Sequence, residues 1–133
     1  HHGRSVHPRE VEDTILATAR VDGSAVVIGL PEDPGQAGKS QIAYLAGRLA
    51  GYRLVTSRET GAKATRALPV ASQVEAHNVS LVRSAWNHAL IEELRDFPYG
   101  RKDDQVDALV RAFLTLMRLG EPSRRVNLSL LGR

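Results

Sequence analysis

Ser24-Ala25-Val26-Val27-Ile28-Gly29-Leu30, followed by Pro31-Glu32-Asp33-Pro34-Gly35-Gln36-Ala37-Gly38-Lys39-Ser40, is the stretch on which the fold turns. Its first part is short, apolar and rich in β-branched side chains, which reads as a buried strand. Pro31 to Ser40 reads as a Pro/Gly loop. Ile42, Leu45, Ala46 and Leu49 then mark a helix that stops near Gly51. Tyr52 to Val55 reads as a second short strand, and Thr56 to Lys63 as a polar loop. Strands alternating with helices argue for an α/β fold.

The flanks fit the same pattern. Pro8 opens a helix, with Glu10, Glu12 and Asp13 where the helix dipole favours acids. Val11, Ile15, Leu16 and Ala19 form its apolar stripe, and Asp22-Gly23 ends it. Ala64 to His77 has helical periodicity through Ala67, Val70, Ala71 and Val74, with Pro69 expected near the true start. Val79 to Val82 reads as a short edge strand. Trp86 to Phe97 reads as a helix with Trp86, Leu90, Ile91 and Leu94 on its apolar side, broken by Pro98-Tyr99-Gly100. The longest helix runs from Asp103 to Leu119. Val106, Leu109, Val110, Phe113, Leu116 and Met117 are expected to face a core, and Asp103 or Asp104 to cap the helix.

The 133 residues fit one domain with a core of ordinary size. At 42% hydrophobic and 25% charged residues the chain reads as a folded globular protein. No apolar run approaches the roughly 20 residues a bilayer needs. The absence of cysteine excludes disulfides, thiolate metal sites and a cysteine nucleophile. No apolar signal-peptide region follows His1-His2-Gly3-Arg4, so an intracellular protein is expected. His1 and His2 read equally as native residues or as the remnant of a tag.

The net charge of +3 is unevenly spread. Lys39, Arg48, Arg53, Arg58, Lys63, Arg66 and Arg83 face only Glu59 and Glu75 in the same stretch. From Glu92 to Asp107 six acids outnumber Arg95, Arg101 and Lys102. The tail is basic again, with Arg111, Arg118, Arg124, Arg125 and Arg133 against Glu121. A basic surface beside an acidic cluster suits a metal-dependent enzyme acting on a polyanion. On charge alone, a solvated surface with chance clustering is the simpler reading.

Three segments could carry chemistry. Gly38-Lys39-Ser40 invites comparison with a phosphate-binding P-loop, but that pattern requires Gly where Asp33 stands. A carboxylate there repels phosphate, so nucleotide binding is not expected. Asp33, just past a strand, is instead a candidate metal ligand with Glu32 as competitor. Without further context Asp33-Pro34 reads as a turn initiator. In the second segment Asp103, Asp104 and Asp107 crowd the start of a helix. Capping and the dipole account for one or two of them. The third, leading into an apolar stripe, favours a divalent cation that relieves their repulsion. In the third segment, Thr60-Gly61-Ala62-Lys63-Ala64-Thr65-Arg66-Ala67, Lys63 and Arg66 share a face if helical. They suit a phosphate backbone or simple solvation equally well. His7, His77 and His88 are isolated and lack zinc-site spacing, and Ser40, Ser72 and Ser80 lack the context of a nucleophile elbow. Trp86 reads as core. Six aromatics in all give little support to a single-strand stacking surface.

Together with Val79 to Asn87 (VSLVRSAWN) and Glu92 to Ala108 (EELRDFPYGRKDDQVDA), the segments at Asp33 to Lys39 and Thr60 to Ala67 resemble the nuclease domain of the large terminase subunit of tailed phages. That protein packages and cuts viral DNA. The four stretches keep the family's order and spacing from about Val6 to Met117. The resemblance implies an RNase H-like fold, a mixed sheet flanked by helices. In it carboxylates bind two Mg²⁺ or Mn²⁺ ions that activate a water and stabilise the leaving oxygen of phosphodiester cleavage. It also implies that Asp33 is the acid at the end of the family's fourth strand. Asp104 becomes the acid on the C-terminal helix, with Asp103 beside it as a second candidate and Asp107 in support. Lys63 and Arg66 match the family's basic pair. Contact with the DNA backbone is inferred for them and for Lys39, Arg101 and Lys102.

The resemblance has one departure. The family's first metal-binding aspartate lies on a strand of a three-stranded region before the helix that opens here at Pro8, and the residues up to His7 leave no room for it. The expectation is therefore a partial domain, residues 1–119, lacking its first strands and first acid, followed by a basic, flexible tail, residues 120–133. Such a chain is expected to expose a sheet edge, to bind metal weakly and to cut DNA poorly or not at all by itself. Expected partners are double-stranded DNA, the full-length protein's ATPase domain, the portal and the small terminase subunit. No nucleotide and no membrane are expected, and the location implied is the cytoplasm of an infected or lysogenic bacterial host. The competing class is a non-catalytic DNA-binding or assembly module of the packaging machinery. A P-loop protein is a third class, which Asp33 opposes.

Overall fold

The computed structural model describes residues 8–120. The expected tail beyond Gly120, and His1, His2 and His7, lie outside the described residues. The chain divides into two compact units, His1–Glu59 and Thr60–Arg133. The architecture is mixed α/β, with five helices and a two-stranded parallel sheet among the described residues.

The first unit holds α1 (Pro8–Asp22), β1 (Ile28–Pro31), α2 (Gln36–Arg48) and β2 (Leu54–Ser57). The strands pair in parallel with Ile28 opposite Leu54 and Pro31 opposite Ser57, and α2 is the crossover between them. Ala19, Leu45 and Leu49 are buried. Arg48 of α2 lies 3.7 Å from Glu12 of α1.

Both strands start later than the apolar runs suggest. Gly23 adopts a left-handed φ of 87°, and Val26 N–H returns to Gly23 O at 3.3 Å, so a turn consumes Ser24 to Val26. Gly51 does the same before β2, with a φ of 94° and Tyr52 N–H bonded to Leu49 O at 3.0 Å. β1 is half-buried rather than buried, because β2 is its one neighbour among the described residues. The loop after it is shorter than its composition suggests. Pro34 and the left-handed Gly35 turn the chain at once, so α2 begins at Gln36 and takes in Gly38-Lys39-Ser40.

The second unit is three helices: α3 (Lys63–Glu75), α4 (Asn87–Asp96) and α5 (Asp104–Leu119). Val70, Val106, Leu109 and Val110 form its core, with Ala67, Phe97, Phe113 and Leu114 packed against them. Met117 is exposed, contrary to the expected stripe. Thr115 is buried in its place, its hydroxyl donating to Arg111 O at 2.8 Å. Pro69 lies inside α3 rather than at its start. There it has no N–H to donate to Thr65 O, so α3 lacks one rung of its hydrogen-bond ladder at that point. It closes with His77 in the left-handed region, where His77 N–H bonds Val74 O and Asn78 N–H bonds Gln73 O. Val79 to Val82 form no strand. They run as irregular backbone into α4, and Asn87 Nδ2 donates to Val82 O at 3.1 Å.

Candidate metal centre

In the first unit, β1 delivers Glu32 and Asp33 to the loop before α2. The two acids are sorted by their neighbours. Glu32 N–H extends the ladder to Ser57 O, and its carboxylate accepts from Arg58 Nε at 3.2 Å. Asp33 is exposed, and its carboxylate has no partner among the described residues. Its backbone is held firmly all the same. Gly38 is buried against it, and a Cβ on Gly38 would overlap the Asp33 carbonyl oxygen. The glycine that suggested a P-loop therefore serves a close approach of the chain to itself.

In the second unit, the start of α5 gathers Asp103, Asp104 and Asp107. One carboxylate oxygen from each lies within 4.8 Å of the others. Asp103 and Asp107 are half-buried and Asp104 is exposed. Asp103 occupies the N-cap position but makes no capping hydrogen bond with its side chain. Instead Lys63 Nζ donates to Asp103 Oδ2 at 2.6 Å and lies 3.3 Å from Asp107 Oδ2. Hydrogen bonds to Asp103 and then Asp107 hold the Lys63 ammonium above its ordinary pKa, so it is charged throughout the neutral range. Asp104 has no partner among the described residues.

The capping role falls to a residue that the apolar pattern did not single out. Glu93 of α4 accepts from the Gln105 and Val106 backbone N–H groups at 2.9 and 3.4 Å, and from Gln105 Nε2 at 2.6 Å. It is 8% exposed, whereas Ile91 and Leu94 are 42% and 39% exposed. The buried line of α4 is thus Leu90 and Glu93, not Leu90, Ile91 and Leu94. The signal was present in the spacing: Trp86, Leu90, Glu93 and Phe97 follow a regular four-three-four step.

Of the cations expected at a phosphate backbone, two are turned to the chain's own oxygens. Lys63 meets the acids. Arg66 Nη1 donates to Gly61 O at 2.6 Å and Thr60 O at 3.4 Å, bracing the loop before α3. Lys39, Arg101 and Lys102 are exposed and make no ion pair among the described residues.

A family model described as the terminase RNaseH-like domain matches residues 1–116. The chain belongs to the terminase RNaseH-like domain family. No curated protein and no solved structure matches it. Membership bears out the resemblance carried by the four segments and places the chain in a packaging-nuclease family of α/β architecture.

RNase H-like nucleases of this kind work with divalent metals, and the donor set on α5 suits one. Carboxylate oxygens are hard ligands matched to Mg²⁺ and Mn²⁺. Three acids crowded this closely repel, and Lys63 already places one positive charge between two of them. A divalent cation held by these acids would have to share Oδ2 atoms that the Lys63 ammonium already contacts in this terminase RNaseH-like domain. Lys63→Met is therefore expected to tighten Mn²⁺ binding about tenfold, since charge interactions at this range are worth that much in a partly screened site. Isothermal titration calorimetry would read the change. Unchanged or weaker binding would mean that the ammonium does not compete with the metal.

Proposed function

We propose that this chain is a divalent-metal-dependent endonuclease domain that cleaves double-stranded viral DNA during genome packaging. The observation that carries the reading is the convergence of Asp103, Asp104 and Asp107 at the start of α5 in a terminase RNaseH-like domain. Asp104, Asp103 and Asp107 are proposed as metal ligands of the second unit, and Asp33 as the metal-binding acid of the first. Asp33, Asp104 and Asp103 are the proposed catalytic acids. Both Asp33 and Asp104 present carboxylates with no partner among the described residues, as ligands awaiting a cation should. The metal, when bound, supplies an activated water and a counter-charge for the leaving oxygen.

Lys39, Arg101 and Lys102 are proposed to hold the DNA backbone, with Lys63 and Arg66 as further contacts. Exposed cations of this kind set affinity and register without reading sequence. The proposed partners are double-stranded DNA, the ATPase domain of the packaging motor, the portal and the small terminase subunit, in the cytoplasm of a bacterial host. No helix among the described residues is long and apolar enough to cross a membrane.

One observation favours a second reading, a DNA-binding or assembly module without catalysis: the Lys63 ammonium already pairs with two of the three acids and offsets part of their charge. A supercoiled-plasmid assay separates the two. Nicking with Mg²⁺ or Mn²⁺ that stops on chelation is the result expected of the nuclease. Retarded DNA that is never cut, with affinity lost in Lys39→Ala or Arg101→Ala, would support the module instead.

A further inference from the structure

We infer that Glu93 is a positioning residue for the acidic cluster: it caps α5 from the neighbouring helix and thereby frees the Asp103 carboxylate for a metal ion. An aspartate at an N-cap ordinarily turns its carboxylate back onto the N–H groups two and three residues ahead. For Asp103 those groups belong to Gln105 and Val106, and Glu93 Oε1 already accepts from both, at 2.9 and 3.4 Å. Asp103 consequently makes no capping bond and points its carboxylate to Lys63 Nζ, alongside Asp107. Without Glu93, the two amides and Asp103 would satisfy each other, and the cluster would lose a member.

Two further features mark Glu93 as more than a packing accident. A buried carboxylate is costly unless it is hydrogen-bonded, and this one lies in the buried line of α4 while Ile91 and Leu94 remain exposed. Gln105 also orients its amide to serve Glu93: Nε2 donates to Oε2 at 2.6 Å, which leaves the buried Gln105 Oε1 without a partner.

The inference rests on the metal reading of the cluster, and the test lets the two fail separately. Mn²⁺ affinity and melting temperature are measured on the full chain, on Glu93→Leu and on Glu93→Gln. Leucine fills the buried place but accepts no hydrogen bond, so Asp103 is drawn back onto α5. Mn²⁺ binding is expected to weaken about tenfold, the lower range for loss of an outer-shell partner. Glutamine keeps an acceptor for both amides, and the Gln105 amide can flip to meet its NH₂, so Glu93→Gln is expected to bind Mn²⁺ as the unaltered chain does. A purely structural role would lower the melting temperature of Glu93→Leu without this loss and rescue of metal affinity.

Equal Mn²⁺ binding by Glu93→Leu and the unaltered chain would overturn the inference while leaving the metal reading intact. So would an equal loss in Glu93→Gln and Glu93→Leu. No Mn²⁺ binding by the unaltered chain would overturn the metal reading and the inference with it. Should Glu93→Leu fail to fold, amide hydrogen exchange in Asp103→Ala puts the same question. Unchanged protection of the Gln105 and Val106 amides is expected if Glu93 holds them, and lost protection would overturn the inference.

Discussion

Asp104→Ala is expected to weaken Mn²⁺ binding by about 100-fold, a loss that even outer-shell changes can reach at metal sites, and to abolish the low plasmid nicking expected of the chain by itself. The size follows from where Asp104 stands. Asp103 and Asp107 share Lys63, so part of their charge is already offset, whereas Asp104 faces solvent with no partner among the described residues. It is the member of the cluster whose charge is fully available to a cation. Its removal should leave the fold intact. Asp104 sits on the first turn of α5, its side chain packs against nothing in the core, and Glu93 supplies the cap. A melting temperature within a few degrees of the unaltered chain, with nicking abolished, is the expected pair of results. Nicking unchanged by the substitution would remove Asp104 from the site.

Gly38→Ala is expected to destabilise the chain by about 1–3 kcal/mol, the range for forcing extra volume into a packed place. The new methyl would overlap the Asp33 carbonyl oxygen and come within 2.7 Å of its carbonyl carbon. Backbone cannot rotate away as a side chain does, so either the loop that carries Asp33 or the start of α2 must move. Urea denaturation should show a lower midpoint with an unchanged slope. Gly47→Ala is the natural control, because nothing lies within 4 Å of a Cβ built there. Equal midpoints for Gly38→Ala and the unaltered chain would show that the close approach does not constrain the loop.

The strand-helix-strand order of the first unit is legible in the residues, because short β-branched runs and a 3.6-residue apolar repeat report directly on burial. The edges of those elements are not. They are set by Gly23, Gly35 and Gly51, whose left-handed conformations consume residues that hydrophobicity alone would assign to strands or loops. Val79 to Val82 look like a strand by composition, yet pair with nothing among the described residues. Local propensity does not supply a partner.

The acidic cluster is legible as a crowd of like charges at a helix start. What surrounds it is not, because those contacts span long sequence separations. Lys63 lies 40 residues from Asp103, and reads in sequence as half of a basic pair rather than as a counter-ion. Glu93 lies 12 residues from Gln105 and hides in the mostly charged run Glu92 to Asp96, which reads as a solvated face. Asp103 reads as an N-cap and occupies that position, but its side chain is free for other work only because Glu93 has taken its place.

A titration of the full chain with Mn²⁺, followed by the electron paramagnetic resonance signal of the free ion, bears most directly on a metal role for the start of α5. It is run beside the variant in which Asp103, Asp104 and Asp107 are all replaced by Asn, which keeps the side-chain shapes and removes the three charges. Saturable binding by the unaltered chain and none by the variant is the result expected. Equal binding by the two, or none by either, would contradict the assignment of a metal site to these three aspartates.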